Sequence, residues 1–290
     1  MELFKIASSR QRDDLAAVME ELSGFLTLLD RVVVMALEVR AGLDALIGDV
    51  PSAPLPLIGR GVGHAFGVRG GLRLVDEAGR DLTDEAVASA PDGAARRAAA
   101  ETLMERMLLQ GPREEDLPAL RDMGYDPYAA INVAERRAEQ QELLRRQLDK
   151  AREADDQPDW RRGRLRDVVA VREFVHELRP TLERELPRRG LDWSVMMPDR
   201  ETSRAFIRGM PSTEVAVTLL TERHRDAARS WTSNDIIDID AMALAVPYCD
   251  AVVADKAIAH ALMSSGVARR MGTVVLRNLT GLRAHLASAA

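Results

Sequence analysis

Cysteine is nearly missing from this 290-residue sequence: Cys249 is the only one. A single thiol excludes an internal disulfide and any cysteine-rich zinc site, and it suits a reducing cytoplasm. Aromatic residues make up only 4%, so a core has to be built from Leu, Val, Ala and Met. Lysine is scarce too. Lys5, Lys150 and Lys256 are the only three, and arginine carries nearly all the positive charge. In so alanine-rich a chain this reads as coding bias rather than phosphate recognition. No apolar run reaches the roughly 18 residues of a membrane span, and the N-terminus lacks the charged-then-apolar pattern of a signal peptide. The expectation is a cytoplasmic protein without a membrane partner. The net charge of −6 does not suit a protein that coats nucleic acid with a basic surface. Its distribution is uneven, however. From Trp160 to Arg229 there are 15 arginines against 11 acidic residues, which reads most simply as a solvated helix surface.

What is present is apolar content of 46%, ample for a core of one large domain or two ordinary ones. Helical periodicity dominates. Leu15, Val18, Met19 and Leu22 share one face of a first helix that Gly24 stops, and Asp30 is placed to cap a second that ends near Gly48. PSAPLPLIGRGVGHAFGVRGG follows as a loop or boundary. Its GRGVGHAFG has no recognisable strand before it, as a phosphate-cradling loop needs. Residues 82 to 156 read as a helical appendage, and INVAERRAEQQELLRRQLDKAREADD is polar enough to project from the body or pack on another chain. A break falls at DDQPDW, and an amphipathic helix covers 163 to 186. From Ser212 a capping signature opens another helix. Strand signals are few: 251–255 and 273–277 are short β-branched runs with a helix-like segment between them, the pattern of a right-handed βαβ unit.

The chemistry concentrates in WTSNDIIDIDAMALAVPYCDAVVADK, where Asp235, Asp238, Asp240, Asp250 and Asp255 stand among apolar residues. Carboxylates enter apolar surroundings only when paired or bound. Thr232 or Ser233 predicts an N-cap and Pro247 a helix end. Asp235 and Asp238 then share one face near a helix N-terminus, where the dipole favours negative charge even with nothing bound. Asp255 ends a buried strand, the end at which α/β sheets collect ligands. If the three converge, a hard oxygen-seeking cation, Mg²⁺ or Mn²⁺, is the natural counterion; capping and salt bridges are the alternative. Asp235→Asn is expected to cost little stability, since asparagine also caps. The five histidines have no metal-ligand spacing. Cys249 reads as a small buried hydrophobe and Trp231 as a packing anchor. Lys256 is poised either to meet a phosphate or to hold the aspartates together. Arg225 and Arg229 precede the acidic helix, for substrate phosphate or for outward salt bridges.

NDIID followed by VVADK resembles the C-terminal half of the PIN-like nuclease superfamily. The resemblance implies an α/β/α sandwich around a parallel sheet, with acidic residues that hold Mg²⁺ or Mn²⁺ to hydrolyse RNA, single-stranded or structured. It places Asp255 as the last acid, Asp235 or Asp238 as the third, and Glu2, on the N-terminal helical segment, as the early glutamate. It assigns catalysis to Glu2, Asp235, Asp238 and Asp255, the metal to Asp235, Asp238 and Asp255, and substrate contact to Lys256 and Arg229. The family's first strand and its Asp have no counterpart here, which implies poor cleavage by the chain as written. The expected fold is α/β, mostly helical with a small parallel sheet: residues 1–48 and 166–290 form the PIN-like parts, and 49–165 a helical insertion. The second reading is a non-catalytic PIN-like interaction protein that binds or forms a homodimer through that insertion.

Overall fold

The computed structural model describes residues 6, 8–49, 56–68, 73–124, 126, 128–153, 160–196, 199–226 and 229–289. Glu2 and the DDQPD part of the expected break lie outside them. In chain order, α1 (Ser9–Ser23), β1 (Leu26–Leu28), α2 (Arg31–Leu46), β2 (Ile58–Arg60), α3 (Val62–Ala65), α4 (Thr83–Ser89), α5 (Gly93–Gln110) and α6 (Leu117–Asp122) come first. Then follow α7 (Ala129–Glu153), α8 (Trp160–Glu173), a π-helical turn (Phe174–Leu178), α9 (Arg179–Arg188), α10 (Trp193–Met196) and α11 (Arg200–Arg208). The chain closes with α12 (Pro211–Arg225), α13 (Ser233–Tyr248), β3 (Ala251–Val253), α14 (Lys256–Ser264), α15 (Val267–Met271), β4 (Val274–Leu276) and α16 (Leu279–Ala289). Two compact units result: Met1–Asp30 with Pro56–Val133, and Arg31–Leu55 with Ala134–Ala290. The expected insertion at 49–165 is thus divided between them.

The first unit has a small core of Ala16, Phe25, Val62 and Leu109. Gly24 takes the left-handed conformation that ends α1, with its N–H bonded to the Glu20 carbonyl. The stripe of Leu15, Val18, Met19 and Leu22 is exposed, and Ala16 is the buried residue of α1 instead. β1 and β2 pair antiparallel. A strand therefore does run into GRGVGHAFG, beginning one residue before it and including its Gly59 and Arg60, contrary to the sequence reading. The helix after it, α3, is a single turn, and the Val62 N–H at its start donates to the Glu105 carboxylate at 2.7 Å. The anion position is filled by the protein's own side chain.

In the second unit the core gathers around α12, which is buried on nearly every side and packs against α2, α8, α11, α13, α14 and α15. A helix buried on nearly every side has to find partners inside for its polar side chains as well as its apolar ones. Its start differs from expectation. Pro211 occupies the first turn and Met210 the cap position without a side-chain bond, so Ser212 is not the cap. Ser212 is fully buried, and its N–H and Oγ donate to Glu38 of α2 at 2.8 and 2.6 Å. The Tyr248 hydroxyl donates to the same carboxylate. Helix α7 does not project, as its polarity suggested. Ala134, Ala138, Leu144 and Leu148 enter the core along a narrow seam, with Gln141 buried among them. The expected helix over 163–186 is α8, the π turn and part of α9.

β3 and β4 pair in parallel, Ala251 with Val274 through Val253 with Leu276, with α14 and α15 between them and α16 packed on both. The expected βαβ unit is present. Among the described residues no third strand joins this sheet.

Removing the Glu38 acceptor strands buried donors, each of which costs about 1–3 kcal/mol. Glu38→Ala should therefore lower unfolding stability in urea by roughly 3 kcal/mol. Burial raises the Glu38 pKa above its usual value, against the bonds from Ser212 and Tyr248. A raised folded-state pKa gives stability that is present at low pH and lost as pH rises through it. The wild-type advantage should accordingly be larger at pH 4 than at pH 7.

Candidate functional site

Helix α13 starts as the sequence predicts. Thr232 is its N-cap and accepts from the Asp235 N–H, while Asp235 accepts from the Thr232 N–H in return, a capping box. Asp238 lies one turn further along the same helix. Pro247 falls inside the last turn, which extends one residue beyond it to Tyr248. Asp255 follows β3 and caps α14, accepting from the Ile258 N–H at 2.8 Å. Asp235, Asp238 and Asp255 thereby line one cleft of about 240 Å³, with Leu219, Ile239 and Ile258 among its apolar walls. The three aspartates thus share one cleft, but among the described residues their carboxylates do not close on a common point.

The cleft is not purely acidic. Arg223 and Arg229 line it as well, and both bind Asp235. Arg223 Nε and Arg229 Nη2 donate to Oδ1 at 3.2 and 3.0 Å, and the Thr232 N–H and hydroxyl donate to Oδ2 at 2.9 and 2.8 Å. A carboxylate has about four acceptor positions, and those of Asp235 are filled. Burial pushes the Asp235 pKa up, but the bonds from Arg223 and Thr232 outweigh it and hold the carboxyl below its usual range. Among the described residues, no three histidine, cysteine, aspartate or glutamate side chains stand close enough to hold a metal ion. The donor set as arranged does not fit Mg²⁺ or Mn²⁺.

The other expected site residues divide. Arg229, over half exposed, meets Asp235 rather than standing ready for a phosphate. Arg225 pairs outward with Glu222. Lys256 is exposed, opens α14 and makes no ion pair with Asp255. Asp240 points elsewhere, to Arg31 at 2.6 Å and to Arg137. Asp250 precedes β3, and its carbonyl accepts from the Val274 N–H. Cys249 packs against the core, and burial raises its thiol pKa, with Asp250 adding to the effect. Trp231 is buried, its ring 4.8 Å from that of His224 and beneath the Arg223 guanidinium, which fits a packing anchor.

Sequence reasoning missed Arg223. Its signal was periodicity: it lies four residues after Leu219 and three after Leu220, both buried, so it faces inward where Arg225 faces out. His260, dismissed with the other histidines, also lines the cleft. No family model matches this chain, and no curated protein or solved structure resembles it closely enough to count as a match.

The salt bridges reverse the expectation for Asp235→Asn. Both partners are largely buried, with side chains 8% and 11% exposed for Asp235 and Arg223. Removing one charge of such a pair is costly. The variant should lose roughly 2–4 kcal/mol at pH 7 in thermal or urea unfolding. A depressed folded-state pKa contributes stability above the ordinary aspartate value of 3.8 and loses it as pH falls through the folded value. Wild type and variant should therefore converge in stability in acid.

Proposed function

We propose that this chain is a PIN-like protein that works by binding rather than by metal-dependent cleavage. The observation that carries this reading is the saturation of Asp235: two guanidinium groups and Thr232 occupy the positions from which an ion would be held. In this reading the acid–arginine arrangement ties the end of α12 and the loop after it to the start of α13, and the cleft is a charge-balanced surface. Within the first unit, exposed Leu103 and Met107 on α5 are then the binding or self-association surface.

A second reading keeps Mg²⁺- or Mn²⁺-dependent hydrolysis of RNA, single-stranded or structured. It is supported by the meeting of Asp235, Asp238 and Asp255 in one cleft beside the carboxyl end of a parallel strand. It requires Asp235 to exchange its arginines for an ion. Calorimetric titration with Mn²⁺, alongside single-stranded RNA cleavage with and without chelator, separates the two. Binding without catalysis predicts no saturable heat and no chelator-sensitive cleavage. Saturable heat that disappears in Asp255→Asn, together with cleavage stopped by chelator, would replace the first reading with the second. Sedimentation of the same protein tests for the homodimer.

A further inference from the structure

Helices α7 and α8 leave an open groove of about 520 Å³ between them. Leu144 and Val168 lie in it, and Val171, 56% exposed, stands at its lip. Most of the arginines of this unit are matched by carboxylates: Arg166 with Glu214, Arg204 with Asp167, Arg189 with Asp44 and Glu185. The two arginines that line the groove are not. Arg164 is exposed and makes no hydrogen bond or ion pair with the described residues. Among the described residues Arg172 reaches only the Gln140 carbonyl, at 3.4 Å, and its Nε has no partner. Asp167, also in the groove, is neutralised by the two-pronged bond from Arg204. The groove therefore has an apolar floor and two arginines that no carboxylate among the described residues pairs with.

We propose that this groove docks an acidic amphipathic helix of a partner protein. An open groove between two neighbouring helices can receive the side-chain ridge of a third. Arg164 and Arg172 are eight residues apart on α8, about 12 Å at the helical rise. The matching helix carries an apolar stripe about two turns long with a carboxylate near each end, roughly eight residues apart. A second copy of this chain is the poorer occupant, because symmetric self-docking of this groove would set the two arginines of one copy against those of the other. The proposal is independent of the cleft and of the PIN-like reading.

The probe is a fluorescein-labelled 14-residue amphipathic peptide with leucines along one stripe and glutamates at its ends, read by fluorescence anisotropy against the full chain. A twin peptide has lysine in place of glutamate. The glutamate peptide should bind at least tenfold more tightly than its twin. Arg164→Glu alone should narrow that preference, Arg164→Glu with Arg172→Glu should reverse it, and Val171→Asp should weaken the glutamate peptide at least tenfold. Circular dichroism checks that each variant is folded; Arg164 is exposed, so its single variant keeps the test decisive if the double variant unfolds. Equal affinity for the two peptides, no binding of either, or a preference untouched by Arg164→Glu overturns the proposal. Concentration-dependent dimerisation abolished by Val171→Asp also overturns it, placing a second copy in the groove.

Discussion

A helix buried on nearly all sides has to answer every polar group it takes inside, and α12 sets that demand for the second unit. Eleven of its fifteen residues are buried, including Ser212, Thr213, Glu214, Thr218, Thr221 and His224. Most of the answers come from its neighbours in space, although the buried Thr213 hydroxyl finds no hydrogen-bond partner among the described residues. Glu38 on α2 accepts from Ser212, Arg166 and Arg270 hold Glu214, and Gln141 on α7 meets His224. Thr218 and Thr221 turn back to the carbonyls four residues earlier. Unanswered, each such group would cost on the order of a kcal/mol or more. These bonds fix which faces of α2, α7 and α8 look inward, and that in turn leaves Leu144, Val168 and Val171 lining an open groove.

The same logic governs the aspartates. A carboxylate among apolar side chains needs a counter-charge, and a cation or an arginine can supply it. In this protein Arg223, on the inward face at the end of α12, reaches Asp235 first, with Arg229 beside it. Asp240 is treated alike on its own side of α13, between Arg31 and Arg137. Five aspartates that look like one cluster in the sequence thus belong to three separate places: a cleft, a buried ion-pair network, and a turn before β3. Arginine suits this task, because its guanidinium keeps its charge at any working pH and presents several donors in one plane.

How much was legible follows from how local each signal was. The β3–β4 pairing, the Thr232 cap, the Gly24 stop and the meeting of Asp235, Asp238 and Asp255 in one cleft were all readable, because each depends on a short run of residues or on βαβ handedness. The burial of α7 was not. Its inward seam holds only a few small and aliphatic residues in a helix otherwise charged, so its average polarity conceals the stripe. Nor was the role of Ser212 legible, since Ser-Thr-Glu before an apolar run reads as a cap wherever Pro211 is not weighed as the first helical residue.

By itself, then, the sequence determined the helical character of the chain, the parallel pairing of β3 and β4, and the candidates for its charged cleft, because backbone propensity and apolar periodicity act over a few residues. Only the tertiary structure decided which charge Asp235 and Asp240 meet, which helix lies at the centre of the second unit, and which arginines among the described residues pair with a carboxylate. Those outcomes depend on groups distant in sequence, such as Glu38 with Ser212 and Arg31 with Asp240. Electrostatic pairing is set by distance in space, which no local pattern of residues encodes.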